Sequence, residues 1–131
     1  MIWHPRALRF LGFWRGIGRG LLLASVVVAL LPAPAGMNRI ANGDKIAHAA
    51  AFAFLMLWYA QIYAQSRDRL RCALGLVGLG LSIELLQSLV PYRSADVWDL
   101  VADAVGVLLG LLLARSPLGD LLSRCEPRPA A

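Results

Sequence analysis

The chain has 131 residues, enough for one domain, and 59% of them are hydrophobic against 16% charged. That balance excludes an ordinary soluble surface, and four apolar stretches of near-spanning length leave no room for a separate soluble domain. A net charge of +5 would admit nucleic acid in a soluble protein; here the arginines flank apolar spans, which points to membrane topology and to no nucleic-acid partner.

Residues 1–17 set Arg6, Arg9 and Arg15 among Trp3, Phe10, Phe13 and Trp14. Such a mixture suits a membrane surface, and an interfacial segment on the cytoplasmic side is expected, with a partly disordered tail as the alternative. The first span is expected from Gly18 to Leu31, where Pro32 and Pro34 end it. A basic start, an apolar middle and Ala33-Pro34-Ala35 also fit a signal peptide, but the basic region is long, and a retained span is preferred. Gly36, Asn38, Asn42 and Gly43 mark a turn-rich first loop.

The second span is expected from Asp44 or Lys45 to Ala64, with Asp44 as a cap at the positive end of the helix dipole and Trp58, Tyr59 and Tyr63 at an interface. Gln65 to Arg71 reads as a basic loop. The third span is expected from Cys72 to Val90, with Gly75, Gly78 and Gly80 allowing close helix approach, and Pro91 ends it. A loop of a few residues then makes the third and fourth spans a hairpin. The fourth runs from Asp96 to Ala114, capped by Ser94 or Asp96, and carries Gly106 and Gly110 in a G-x-x-x-G face. The expected whole is all-α: a four-helix transmembrane domain over residues 18–115 and a weakly ordered tail over 116–131.

Ten of the thirteen lysines and arginines fall at the N-terminus, in the Gln65–Arg71 segment or in the tail; only Arg39, Lys45 and Arg93 fall on the other side. The asymmetry predicts a multi-pass protein of the plasma (inner) membrane with both termini cytoplasmic. Cys72 and Cys125 lie by the predicted cytoplasmic ends and lack the clustering of a zinc site, so both read as free thiols.

This orientation brings the polar residues of the spans to one depth at the outer side: Asp44, Lys45 and His48 on the second, Glu84 and Gln87 on the third, Arg93 in the loop, and Asp96, Asp99 and Asp103 on the fourth. A carboxylate within a span costs roughly 2.5–3.5 kcal/mol on insertion scales, so each needs a reason. Asp99, Asp103, Gly106 and Gly110 step by four, three and four along one narrow stripe, which turns the acids toward another helix. Asp44, Glu84, Asp96, Asp99 and Asp103 face only Lys45 and Arg93 as fixed bases, with His48 as a third. The excess of acids leaves protonation, a bound cation or a cationic ligand open. Asp44 and Asp96 read first as caps, Gln87 as a hydrogen-bonding or site residue, and Arg93 as an interfacial anchor or a clamp on an anionic group. Glu84, Asp99 and Asp103 are the hardest to explain as helix fasteners.

Asp44, Lys45, His48 and Phe52, followed by Glu84, Gln87, Pro91, Arg93, Asp99, Asp103, Gly106 and Gly110, have the joint spacing of the VanZ-like family, and over residues 20–115 the chain resembles it. Asp103 stands where that family often has asparagine. The resemblance implies a small integral membrane protein, mostly of four helices, whose namesake is associated with resistance to teicoplanin, a lipid-tailed glycopeptide that acts at the outer face. It also implies a retained first span.

Three functions compete. The preferred one is an outer-leaflet binding module in which Lys45, His48, Glu84, Gln87, Arg93, Asp99 and Asp103 hold a lipid or a cell-envelope, glycopeptide-type ligand. A structural or partner-binding protein would use the same residues only to fasten helices. A membrane enzyme acting on a lipid-linked substrate would use His48 or Glu84 as acid or base, with Asp99 and Asp103 on a divalent metal. No resident metal and no cofactor is assigned, and no Ser-His or Cys-His arrangement supports covalent catalysis, because neither cysteine reaches the site. A transporter is disfavoured because the acids stop short of the inner face, although a homo-oligomer could still form a path.

Overall fold

Long apolar runs bounded by proline, asparagine and polar residues fold as four long helices in the computed structural model, which describes residues 2–32 and 42–126. These are α1 (Leu11–Leu30), α2 (Gly43–Ile62), α3 (Ser66–Gln87) and α4 (Val97–Leu113), followed by a 3-10 turn, Pro117–Asp120, and a short helix, α5 (Leu121–Cys125). At 1.5 Å per residue, the 20-residue α1 and α2 and the 22-residue α3 each reach about 30 Å or more, the thickness of a bilayer core. The 17 residues of α4 stand at the lower limit for a span, and α4 joins the 117–125 segment across an 80° bend. The protein is a multi-span membrane protein of three to four crossings.

Packing centres on α2. Phe52, Leu55 and Met56 meet Ile83 and Leu76 of α3 and Val107 of α4 in the core, while Leu74, Leu81, Leu85, Leu108 and Leu112 face outward as an apolar belt. The closest contact is α4 on α2, and glycine makes it. A Cβ on Gly106 would stand 2.3 Å from the Ala49 carbonyl oxygen, and one on Gly110 would stand 2.6 Å from that of Ala53. Of the three α3 glycines expected to admit a neighbour, only Gly80 does so: its Cβ would meet Asp103 Oδ2 at 2.5 Å, whereas Gly75 and Gly78 have nothing within 4 Å.

Several element ends differ from the sequence reading. The first helix begins at Leu11 rather than Gly18, so residues 11–17 of the expected interfacial segment are helical. Ser66–Arg71 is the first turn of α3 rather than a loop. Its arginine at position 69 explains why: Nε donates to the Tyr63 carbonyl at 3.0 Å and Nη2 to that of Ala60 at 3.1 Å, placing a cation on the carbonyl end of α2. Asp44 does not cap α2; Asn42 precedes the helix in the left-handed region, at φ 56°, which asparagine tolerates. Asp96 does cap α4, accepting from the Trp98 N–H at 2.9 Å. Ala33-Pro34-Ala35, Gly36, Asn38 and Arg39 lie outside the described residues.

Within the tail expected over 116–131, the 3-10 turn and α5 are formed; residues 127–131 lie outside the described ones. Glu126 holds this stretch, accepting from the backbone N–H groups of Arg9 (2.6 Å) and Phe10 (3.1 Å) and from the Trp14 indole. Arg6 pairs with Asp120 at 2.6 Å, and Gln61 Oε1 accepts from the Leu122 N–H at 3.0 Å. Residues 6–14 and 120–126 are thus tied together at one end of the bundle. Desolvation pushes the Glu126 carboxyl up, but the Trp14, Phe10 and Arg9 donors and the Arg9 charge outweigh it, so this carboxyl sits below the ordinary glutamate range. A lowered carboxyl contributes stability that is complete above the unfolded-state value and is lost as pH falls through the folded one. Proteolysis of residues 116–126 is therefore expected to be slow at neutral pH and to accelerate below about pH 4, with Glu126→Gln fast at both.

Candidate functional site

At the opposite end of the bundle, the polar residues of three helices converge. Lys45, one turn into α2, points its ammonium between three carboxylates: Asp96 at 2.8 Å, Asp99 at 3.3 Å and Asp44 at 3.3 Å. One turn deeper, His48 Nδ1 lies 2.8 Å from Asp103 Oδ1, and His48 Nε2 lies 3.8 Å from Asp99 Oδ2. The i,i+3 step from Lys45 to His48 and the i,i+4 step from Asp99 to Asp103 put the two pairs on facing stripes, and Gly106 and Gly110 bring those stripes together.

Glu84 comes in from α3. Its Oε2 accepts from the backbone N–H of Asp96 at 2.8 Å, so it serves the start of α4. Its Oε1 is buried and has no partner among the described residues, on a residue only 6% exposed. Asp103 is wholly buried, and its Oδ2, packed against Gly80, is likewise unpartnered. Such orphaned oxygens are rare, and each needs an explanation.

Gln87 and Arg93 do something else. Arg93 donates through Nε (3.0 Å) and Nη2 (2.8 Å) to the carbonyl of Ala29, and Gln87 Nε2 donates to the same oxygen at 2.9 Å. They lock the C-terminal end of α1, whose last carbonyls have no partner of their own, onto the α3–α4 hairpin. Arg93 thus spends two of its five N–H donors on the Ala29 carbonyl, fastening α1 while standing on the cavity wall. The Gln87 side-chain oxygen is left buried without a donor.

Between α1, α2, α3 and the hairpin lies a cavity of about 390 Å³. Val28, Ala29, Ala51, Phe52 and Ile83 form its apolar wall; His48, Gln87, Asp99, Asp96, Asp44 and Arg93 supply its polar groups. It lies within the usual 300–1,000 Å³ of ligand pockets and has room for a head group rather than a whole lipid.

The sequence reading missed a second polar set. Asp68, wholly buried at the other end of the bundle, accepts from the His4 N–H at 2.9 Å and from Arg71 at 2.8 Å. The end of the bundle away from the cavity is thus not free of buried acids, but this one is fully paired. Its i,i+3 spacing to Arg71 was the available signal.

A sequence-family model described as VanZ/LLP1 matches residues 8–121, which include every residue of both clusters except His4. The chain belongs to the VanZ/LLP1 family. It is also 36% identical over 100 residues to the uncharacterized protein C11E3.10 of Schizosaccharomyces pombe, an alignment covering 71% of this chain and 57% of that protein. The chain thus spans little more than half the length of that relative. No solved structure matches. Within this VanZ/LLP1 domain, Lys45, His48, Glu84, Asp99 and Asp103 form one contact set, while Gln87 and Arg93 stand on the cavity wall beside it.

Proposed function

We propose that the protein is a binding module of the plasma membrane, with both termini cytoplasmic, that takes the polar head of an amphiphile into the cavity between α1 and the α2–α3–α4 core. The observation that carries this is the cavity itself: an apolar wall continuing into carboxylates, with an unpartnered Gln87 oxygen in its lining. The lining holds three carboxylates and the Gln87 oxygen, so a head group bearing amine or hydroxyl donors suits it. A membrane lipid with such a small head fits, whereas the peptide-and-sugar head of a lipid-tailed glycopeptide is too large for about 390 Å³. The relative in a fission yeast favours a ligand found in membranes generally over one special to the bacterial wall. For orientation, Arg6, Arg9, Arg67, Arg69 and Arg71 gather at the end where residues 6–14 and 120–126 are tied together, opposite the cavity.

Native mass spectrometry of the protein from mild detergent tests the reading. The wild type is expected to retain one amphiphile, and Ala51→Phe, which fills the cavity without touching the acids, is expected to lose it while keeping its thermal midpoint; Ser25→Leu is the second filling variant. A wild type that retains nothing, or a ligand unaffected by both substitutions, would overturn the proposal.

A further inference from the structure

His48, Glu84 and Asp99 each offer one donor atom, and the three atoms lie within 4.8 Å of one another. The geometry points to a binding site for a divalent transition metal of the zinc type, held by His48 Nε2, a Glu84 oxygen and an Asp99 oxygen. This inference is independent of the amphiphile reading.

The histidine is set up for it. An ionised carboxylate only accepts hydrogen bonds, so at 2.8 Å the Asp103 carboxylate takes the imidazole proton on Nδ1, and in the neutral ring the lone pair then sits on Nε2. Metal-bound histidines are oriented in this way, the second nitrogen donating to a carboxylate. Nε2 lies 3.8 Å from Asp99 Oδ2. Two ligands about 2.1 Å from a tetrahedral ion stand about 3.4 Å apart, so the pair closes with a small side-chain movement.

Glu84 supplies the second, independent observation. It is 94% buried by its 6% exposure, its Oε2 is fixed by the Asp96 N–H, and its Oε1 has no partner. A carboxylate fixed through one oxygen, unsatisfied at the other among the described residues and offering an oxygen within 4.8 Å of the imidazole suits a ligand position rather than a fastener alone. The neighbouring trio Asp44, Asp96 and Asp99 has the same donor proximity but already surrounds a cation, the Lys45 ammonium. Three protein ligands of the N, O, O type with a fourth position open suit zinc, and the cavity, which His48 and Asp99 line, gives that position access to a small ligand.

The test uses full-length, tag-free protein in detergent, stripped with a chelator and titrated with zinc chloride, with metal content read by mass spectrometry after desalting and unfolding followed thermally. One zinc per chain is expected, together with a rise in the thermal midpoint that grows with free zinc. Glu84→Gln and Asp99→Asn are each expected to weaken binding at least tenfold. Metal-free Glu84→Gln should unfold no lower than metal-free wild type, because the amide oxygen still accepts from Asp96 while one crowded charge is removed; a merely structural glutamate would show a lower midpoint instead. Cobalt(II) titrated into the wild type gives a measurement that needs no variant, since a four-coordinate N, O site produces an intense visible band. A wild type that binds no zinc and gives no cobalt band, or binding unchanged in both variants, overturns the site. The amphiphile reading is judged on a different ligand and different substitutions, so either can fail alone.

Discussion

Gly106→Ala is expected to lower the stability of the bundle by about 1–3 kcal/mol, and Gly106→Leu by more, seen as a fall in thermal midpoint and in the yield of monodisperse protein from detergent. The sign is the informative part. Alanine in place of glycine within a helix is ordinarily favourable by roughly 0.5–1 kcal/mol, because the backbone loses less freedom on folding. At Gly106 the added methyl would stand 2.3 Å from the Ala49 carbonyl oxygen, which is backbone and cannot rotate away. The two helices must separate, and the contacts below, at Gly110, loosen with them. Gly75→Ala and Gly78→Ala are matched controls on α3, where nothing lies within 4 Å, and both are expected to be neutral or stabilising. A neutral Gly106→Ala alongside neutral controls would mean that the α2–α4 contact does not set the fold. The same separation would pull His48 from Asp103, so loss of packing here carries loss of the polar site with it.

Much of this was legible in the sequence, for identifiable reasons. A carboxylate in an apolar span is conspicuous, and helical spacing alone placed Asp99, Asp103, Gly106 and Gly110 on one stripe; the structure lays that stripe on α2. Asp96 as a cap followed from its place before an apolar run. Other features had no local signal. The partner of Arg93 is a backbone carbonyl 64 positions away, and every residue type presents the same carbonyl, so no pattern of side chains could point to it. The start of α3 was hidden because Ser66–Arg71 is polar, and polarity reads as loop where a helix emerges from the apolar layer. The 116–126 stretch depends on Glu126 meeting Arg9, Phe10 and Trp14 more than a hundred positions earlier, a contact that only tertiary structure creates. Periodicity, in short, reports which face a residue occupies and not which atom it meets.

Asp103→Ala should be the most damaging single change in the polar site, costing about 3–5 kcal/mol, while Asp103→Asn should cost about 1 kcal/mol or less. Asp103 is wholly buried, and its Oδ1 is what His48 Nδ1 binds. Alanine leaves the imidazole N–H without an acceptor in a packed interior and opens a void beside Gly80, whose missing side chain makes room for the carboxylate. Asparagine keeps an oxygen for His48 and nearly the same volume. Its amide group then stands where the unpartnered Oδ2 was, so the substitution exchanges one imperfectly satisfied atom for another. Thermal unfolding of the two variants in the same detergent separates the cases, and equal destabilisation by both would show that the charge, rather than the hydrogen bond, holds His48. The zinc titration adds a readout that folding does not dictate. An asparagine oxygen orients the histidine less firmly than a carboxylate does, and loss of the group that holds a metal-bound histidine typically weakens metal affinity by about 10–100-fold. Asp103→Asn is therefore expected to leave the fold nearly intact while weakening zinc binding in that range, and unchanged zinc affinity in this variant would remove Asp103 from the set of residues that position the site.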